Sequence, residues 1–260
     1  MLKKERQIYI LKKVNRDGRA ITNDLTEELG VAEDTIRKDF QELTAKGLVR
    51  RVHGGVLRIE SSVLQYKERL ISNTAVKEEL VKEAVKLVAD KHMLYIDGGT
   101  TNLKLAEALP AAFKGRIITN SPTTALIAAT HLPNAEVNII GGRLDPVSLV
   151  IKGASAVEQI QALNIECCIL GVSSLTPENG ITFPSSGEAT LKKILVEHSN
   201  QVIVIANKEK LGSIATFFSC DISEIDYLIT NEADLSITDQ YQKKGVKVIV
   251  HETSDKNPQN

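Results

Sequence analysis

The chain has 260 residues, 42% hydrophobic and 25% charged, which suits a short domain followed by a longer one with a true core. No stretch approaches the roughly 18 uninterrupted apolar residues of a membrane helix, so no membrane partner is expected. The net charge of −1 hides an asymmetry: residues 1–57 hold 12 Lys and Arg against 9 Asp and Glu, which permits nucleic-acid binding there without requiring it. The opening MLKKERQIYILKKV threads charges through its apolar positions and reads as an amphipathic helix, not a secretory leader. Cys167, Cys168 and Cys220 lack metal-ligand spacing, and the first two sit in the apolar run IECCILG, where a thiol behaves as a small hydrophobe. His92, His131, His198 and His251 are equally scattered. No metal and no cofactor is expected, and a reducing cytoplasm is the natural compartment.

Three helical patterns open the chain. Ile8, Leu11 and Val14 space an apolar stripe along the first, which ends near Asp17-Gly18. Thr22 or Asn23 can cap the second, whose Leu25 and Leu29 face inward before Gly30 stops it. The third runs from about Glu33 to Lys46, with Ile36, Phe40 and Leu43 on its buried face. Short helices joined by a glycine turn suit a helix-turn-helix. On the third helix Thr35, Arg37 and Lys38 occupy the flanks and outer face: a hydroxyl, a guanidinium fork for guanine and an ammonium for phosphate. An ordinary solvated helix would look similar. The following Leu48–Val56 run alternates apolar and basic residues into a Gly-Gly turn, as in a two-stranded wing with its basic residues on one face. Arg50, Arg51 and His53, with the Gly54-Gly55 turn, are the candidate backbone or minor-groove contacts.

With Glu5-Arg6, Gly30-Val31, Thr35-Ile36-Arg37-Lys38-Asp39-Phe40, Leu43, Gly47 and Arg51-Val52-His53-Gly54-Gly55, the segment resembles the DeoR family of sugar-metabolism repressors. One departure is Ala32, where the family usually has Ser at the N-cap of the recognition helix. Losing that cap costs about 1 kcal/mol locally, or Asp34 and its neighbours compensate.

Residues 58–73 are polar and are expected to link the domains, with 74–252 forming the second domain and 253–260 a polar tail. From Thr74 onward, helical patterns alternate with apolar runs at Met93–Ile96, Arg116–Thr119, Val137–Ile140, Cys167–Leu170, Val202–Ala206, Tyr227–Thr230 and Val246–Val250. That alternation indicates an α/β domain with a mostly parallel sheet, in which ligands bind at the carboxyl ends of the strands. After MLYI come Asp97, Gly98, Gly99, Thr100 and Thr101 and then a helical stretch, a natural anion cradle of free N–H groups and hydroxyls. Thr119-Asn120-Ser121, Gly141-Gly142-Arg143 and Gly171-Val172-Ser173-Ser174 follow other strands. Each reads equally as turn chemistry when taken alone.

The resemblance continues through this region. It implies a ribose-5-phosphate isomerase and CoA-transferase superfold, with Asp97, Gly99, Thr100 and Thr101 matching a DxGTT loop that holds an effector's phosphate. Thr119-Asn120 matches a second loop, Gly153, Gly180 and Glu188 fall in place, and Tyr66 and Arg69 match an aromatic-x-x-Arg pattern ahead of the sensor. Lys210 and Gly212 match a further motif in which Asn207 replaces the usual Asp, keeping acceptor capacity but losing charge. The reading is a repressor of a carbohydrate-metabolism operon that binds double-stranded operator DNA. A phosphorylated sugar or related effector would meet Asp97–Thr101, Thr119, Asn120, Ser173, Glu188 and Lys210. The resemblance also implies a homodimer or homotetramer. The rival is a sugar-phosphate isomerase or CoA-transferase-like enzyme, against which stands the lack of a DGADE-like acidic cluster. A third reading gives the α/β domain assembly alone.

Overall fold

The computed structural model describes residues 3–17, 19–45, 48–52, 54–58 and 66–251, in a chain that divides into two compact units, Met1–Leu64 and Gln65–Asn260. In the first, α1 (Lys3–Asp17), α2 (Thr22–Leu29) and α3 (Glu33–Ala45) close on Ile10, Val14, Leu25, Ile36, Phe40 and Leu43. Gly30, in the left-handed region at φ 61°, ends α2 and leaves a three-residue turn before α3. A sheet in the order β1 (Arg19–Ile21), β3 (Gly55–Arg58), β2 (Val49–Val52), antiparallel throughout, completes a winged helix-turn-helix. The wing thus has a third strand beyond the two expected.

Two local expectations are corrected. Ile8 is 54% exposed, and the inward stripe of α1 runs instead through Gln7, Ile10 and Val14. The helix is rotated this way because Arg6 and Gln7 both reach Asp39 of α3: Arg6 as a buried ion pair and Gln7 by a 3.2 Å hydrogen bond. Neither Thr22 nor Asn23 caps α2, since Ile21 occupies the N-cap position. Thr22 lies inside the helix and donates both its N–H and its hydroxyl to the Gly54 carbonyl at 2.9 Å, tying the wing turn to the helix start.

The second unit is built on a parallel sheet of seven strands. They are β4 (Met93–Ile96), β5 (Arg116–Thr119), β6 (Glu136–Ile139), β9 (Cys167–Leu170), β12 (Val202–Ile205), β14 (Tyr227–Thr230) and β15 (Lys247–Val250), ordered β15-β14-β12-β9-β4-β5-β6. Alternate residues of the inner strands enter two cores. Leu94, Ile96, Cys167, Ile169, Ile203 and Ile205 meet α5 (Thr74–Val88), α6 (Thr100–Ala108) and α7 (Pro122–His131). Tyr95, Cys168, Leu170, Val202 and Val204 meet α8 (Ala154–Gln161), α9 (Ser186–Glu197) and α10 (Leu235–Gln242). Burial on both faces is what makes these strands nearly continuous apolar runs.

Five short strands went unread in the sequence: β7 (Arg143–Leu144) paired with β8 (Ile151–Lys152), and β10 (Ser174–Thr176), β11 (Gly180–Phe183) and β13 (Phe217–Cys220) in an antiparallel sheet. The stretch expected as a linker, 58–73, holds a helix, α4 (Tyr66–Ile71). Tyr66, only 8% exposed, anchors it to the domain, which polarity alone did not reveal. Residues 59–65 and the expected tail 253–260 lie outside the described residues.

Among the described residues, each unit buries an ion pair between elements distant in sequence: Arg6–Asp39 in the first and Lys192–Asp97 in the second. Removing one partner of a buried pair leaves an uncompensated charge and costs about 3–5 kcal/mol. Asp39→Asn is therefore expected to lower the melting temperature of the winged-helix unit by thermal denaturation. Lys192→Met should destabilise the second unit by a similar amount. The double variant with Asp97→Asn should recover most of that loss, since no buried charge then remains. A double as unstable as the single would show that the pair's charge is not what matters.

Candidate functional site

The outward face of α3 carries Arg37 and Lys38, both exposed, with Thr35 half-buried on one flank. Arg37 is held along the helix by Glu33, at 2.6 Å through Nη2 and 3.1 Å through Nε. An exposed i,i+4 pair of this kind is worth about 0.3–0.5 kcal/mol, little enough for Arg37 to exchange Glu33 for a base or phosphate. The wing differs from the expected arrangement. Arg51 lies on the side of buried Val49, its guanidinium 5.2 Å from the centroid of the Phe40 ring, where it shields the core from solvent. The Arg50 side chain and His53 lie outside the described residues. Gly54 is exposed at the turn with φ 79°. Gly55 is buried in the central strand, where a Cβ would come within 2.4 Å of the Ala20 carbonyl, so its role is to let β1 and β3 approach.

In the second unit the sequence-derived effector residues gather at the carboxyl edge of the parallel sheet, in two layers. The lower layer is support. Asp97 is fully buried beyond β4, its Oδ2 paired with Lys192 and accepting the Gly171 N–H at 2.8 Å. Asn120, also fully buried, accepts the Gly98 N–H at 3.0 Å, and Thr119 accepts the Ser121 N–H at 3.0 Å. Asn102 donates to the carbonyls of Asp97 and Ile169, both at 3.0 Å. Asp97, Thr119 and Asn120 are therefore placed to shape the loop from beneath rather than to touch a ligand.

The upper layer is Gly99, Thr100 and Thr101 at the start of α6. Gly99 occupies the N-cap position at φ 139°, which a side chain would strain, and no side chain caps the helix. The N–H groups of the first turn are thus left for an external acceptor. Ser173, half-buried, follows β9. Glu188 stands in the first turn of α9, and Lys210 closes the turn Lys208–Lys210 after β12, its amine donating to the Val172 carbonyl at 2.7 Å.

Lys210 has company that the sequence reading left out. Burial lowers its pKa to about 8, and Arg69 of α4 and Lys77 of α5 push the same way against Glu188 and Glu209. Lys77 is itself lowered, first by burial and then by Arg69 and Lys104; burial lowers Arg69 against the pull of Glu188 and Tyr66. Lys77 and Lys192 were both legible in principle. Lys77 extends the buried stripe Leu80, Val81, Ala84, Val88, and Lys192 sits three residues from both Ala189 and Leu195. A lysine on an apolar face is a buried cation awaiting an anion.

Burial raises the thiols of Cys167 and Cys220 to about 12, in keeping with their reading as core residues. Among the described residues no helix is long and apolar enough to cross a membrane.

Residues 6–62 match the DeoR-like helix-turn-helix domain, and residues 72–232 match the DeoR C terminal sensor domain. The HTH-type transcriptional regulator GlpR of Haloferax volcanii is 30% identical over 253 residues, covering 96% of this chain and 98% of that protein. The glycerol-3-phosphate regulon repressor of Haemophilus influenzae is 27% identical, over 93% of this chain and 94% of its own. Ribose 5-phosphate isomerase A of Methanocaldococcus jannaschii aligns in structure at a TM-score of 0.39 and 18% identity, over 54% of this chain and 55% of that one, a likeness too slight to argue from. The matched domains and the full-length relatives agree with the winged helix-turn-helix and parallel α/β units: this chain is a transcriptional regulator, not an enzyme, and belongs to the DeoR family.

Proposed function

We propose that this regulator is a cytoplasmic repressor of a carbohydrate-metabolism operon, and that a phosphorylated sugar or related phosphometabolite bound in the second unit controls its hold on operator DNA. The observation that carries the reading is the start of α6. An uncapped helix N-terminus at a strand end, with its loop fixed from below, lies in the same sheet edge as the cation Lys210. Backbone N–H groups and the helix dipole favour an anion at Gly99–Thr101, while Lys210, Ser173 and Glu188 are available to the remaining oxygens. The named repressor of a glycerol-3-phosphate regulon among its relatives favours the same ligand chemistry. For regulation, the effector must bind one arrangement of the DNA-binding heads more tightly than another. A homodimer or homotetramer would present paired heads to repeated half-sites. In this reading residues 1–57 form the head and 74–252 the sensor, with Thr35, Arg37, Lys38, Arg50 and His53 facing DNA.

Thermal denaturation against a panel of phosphorylated sugars, sugar alcohols and their unphosphorylated counterparts tests the sensor, because a ligand of the native state raises the melting temperature. A rise selective for one phosphorylated compound, and lost in Thr100→Ala, is expected. No rise across the panel would remove the phosphometabolite reading. Affinity should also depend on pH with a definite sign. An anion favours the charged Lys210 amine, so binding is tightest below about pH 8 and weakens as pH rises through that value. Phosphate stays largely dianionic across this window. Calorimetry at pH 7 and pH 9 should show the weakening in the native protein and its loss in Lys210→Met. The ligand-free protein moves the opposite way, gaining stability between about pH 8 and the ordinary lysine value of 10.5, where only the unfolded chain still holds that proton. On DNA, Arg37→Ala should cost about 1–3 kcal/mol on a selected operator and less on random sequence. Equal losses on both would make Arg37 a phosphate contact.

A further inference from the structure

We propose that β6, at one edge of the seven-stranded sheet, is where a second copy of this chain docks, the two β6 strands running antiparallel so that the two sheets continue into one. The proposal rests on the reading of the regulator as a homo-oligomer and names the surface that would build it.

The first observation is in the backbone. Glu136 and Ile140 turn their N–H groups inward, to the carbonyls of Gly115 and Thr119 at 3.2 and 2.8 Å. Backbone direction alternates along a strand, so Val137 and Ile139 point their polar groups outward, and among the described residues these meet no partner. The next outward residue, Gly141, is already served. Gln159 of α8 accepts its N–H at 2.9 Å and donates to its carbonyl at 3.1 Å, as a neighbouring strand would. At the other end the Ala135 N–H is given to the Leu132 carbonyl. The open stretch of ladder is therefore Val137–Ile139.

The second is the apolar surface beside it. Ile139 is 47% exposed, and so largely are Leu126 of α7, which packs on β6, and Leu144 and Val147 of the β7–β8 hairpin, which Gly141-Gly142 joins to β6. The opposite edge is guarded differently: β15 opens with Lys247 and keeps Val248, Ile249 and Val250 half-buried. Edge strands are commonly protected by lysine or proline, and β6, reading EVNI, has neither.

The third is charge, and it selects the occupant. The amino end of β6 carries Glu136, held by Arg116 at 2.8 Å. Its carboxyl end leads to Arg143, exposed and without an ion-pair partner among the described residues. Antiparallel pairing of the edge with itself lays the acidic end of each copy along the basic end of the other, and a two-fold axis makes both contacts at once. The register follows from the free groups. With Ala135 and Gly141 already bonded, Val137 stands opposite Ile139 of the second copy, and Asn138 stands opposite its own counterpart on the axis.

The test is sedimentation of the full-length protein, with a cross-link to fix the register. The native protein is expected to be oligomeric. Ile139→Lys, at an exposed position, should halve its mass or weaken its association at least tenfold with circular dichroism unchanged, and Ile139→Val should keep the native mass. Asn138 turns its own N–H to β5, so the pair on the axis is a non-hydrogen-bonded one, with Cα atoms about 4.5 Å apart, within the reach of a disulfide. Asn138→Cys should therefore give a covalent dimer on mild oxidation, whereas the native protein, whose three cysteines are buried, should give none. If the native protein is oligomeric and either the change in mass or the cross-link fails to appear, this edge is discarded and the homo-oligomer reading stands. Should Ile139→Lys not fold, the Asn138→Cys cross-link alone decides. A monomeric native protein would remove the homo-oligomer reading and the proposal with it.

Discussion

A carboxylate and an ammonium lie buried together beneath the carboxyl edge of the parallel sheet, and three separate parts of the second unit meet on them. Asp97 follows β4 and begins the loop into α6; Lys192 projects from the buried face of α9; Gly171, whose N–H the same carboxylate oxygen accepts, follows β9. Gly171 admits no side chain, since a Cβ there would stand 2.3 Å from the Gly98 carbonyl. The adjoining strands are thus drawn together where they finish, with Gly98 buried and its N–H given to Asn120, and the start of α6 beyond Gly99 is left uncapped. A buried ion pair is a poor means of raising stability, because desolvation offsets most of the attraction. Its value is geometric: with the charges fixed, the loop has one arrangement available, and a binding surface made mainly of backbone amides needs that rigidity.

The winged-helix unit solves a related problem in a smaller core. Among the described residues its core holds nine buried apolar side chains, which leaves little margin, and the Arg6–Asp39 pair with Gln7 fixes α1 against the recognition helix. Arg51 of the wing spreads over Phe40, so one of the basic residues that a DNA-binding reading assigns to phosphate also closes the hydrophobic core.

These features mark the limits of what periodicity reveals. The strands of the parallel sheet are visible as apolar runs whose length separates strand from helix, the inner ones because both of their faces are buried. The short strands β7, β8, β10, β11 and β13 are not, since two to four residues, most of them with polar members, carry no period. The cradle at Asp97–Thr101 is legible from its place between strand and helix, yet the division of labour within it is not: Asp97 and Asn120 are named by the pattern but buried by the fold. The residues most easily missed are charges on apolar stripes. Arg6, Asp39, Lys77 and Lys192 each occupy a position that the helical repeat assigns to the core, and a reading that counts only apolar residues passes over them. It also misplaces α1 by rotating Ile8 inward, when the polar contacts of Arg6 and Gln7 set the helix's facing.

All three cysteines lie in the second unit, each buried and none in a disulfide. With thiols lifted far from the titration range of a free cysteine, they present no thiolate to a reagent while the domain is closed. Alkylation of this protein therefore clocks the opening of one unit only. Cys167 and Cys168, on facing sides of the central strand β9, record loss of the two cores separately, and the winged-helix unit is silent to the probe. The native sequence carries its own site-resolved gauge of domain breathing, needing no added label.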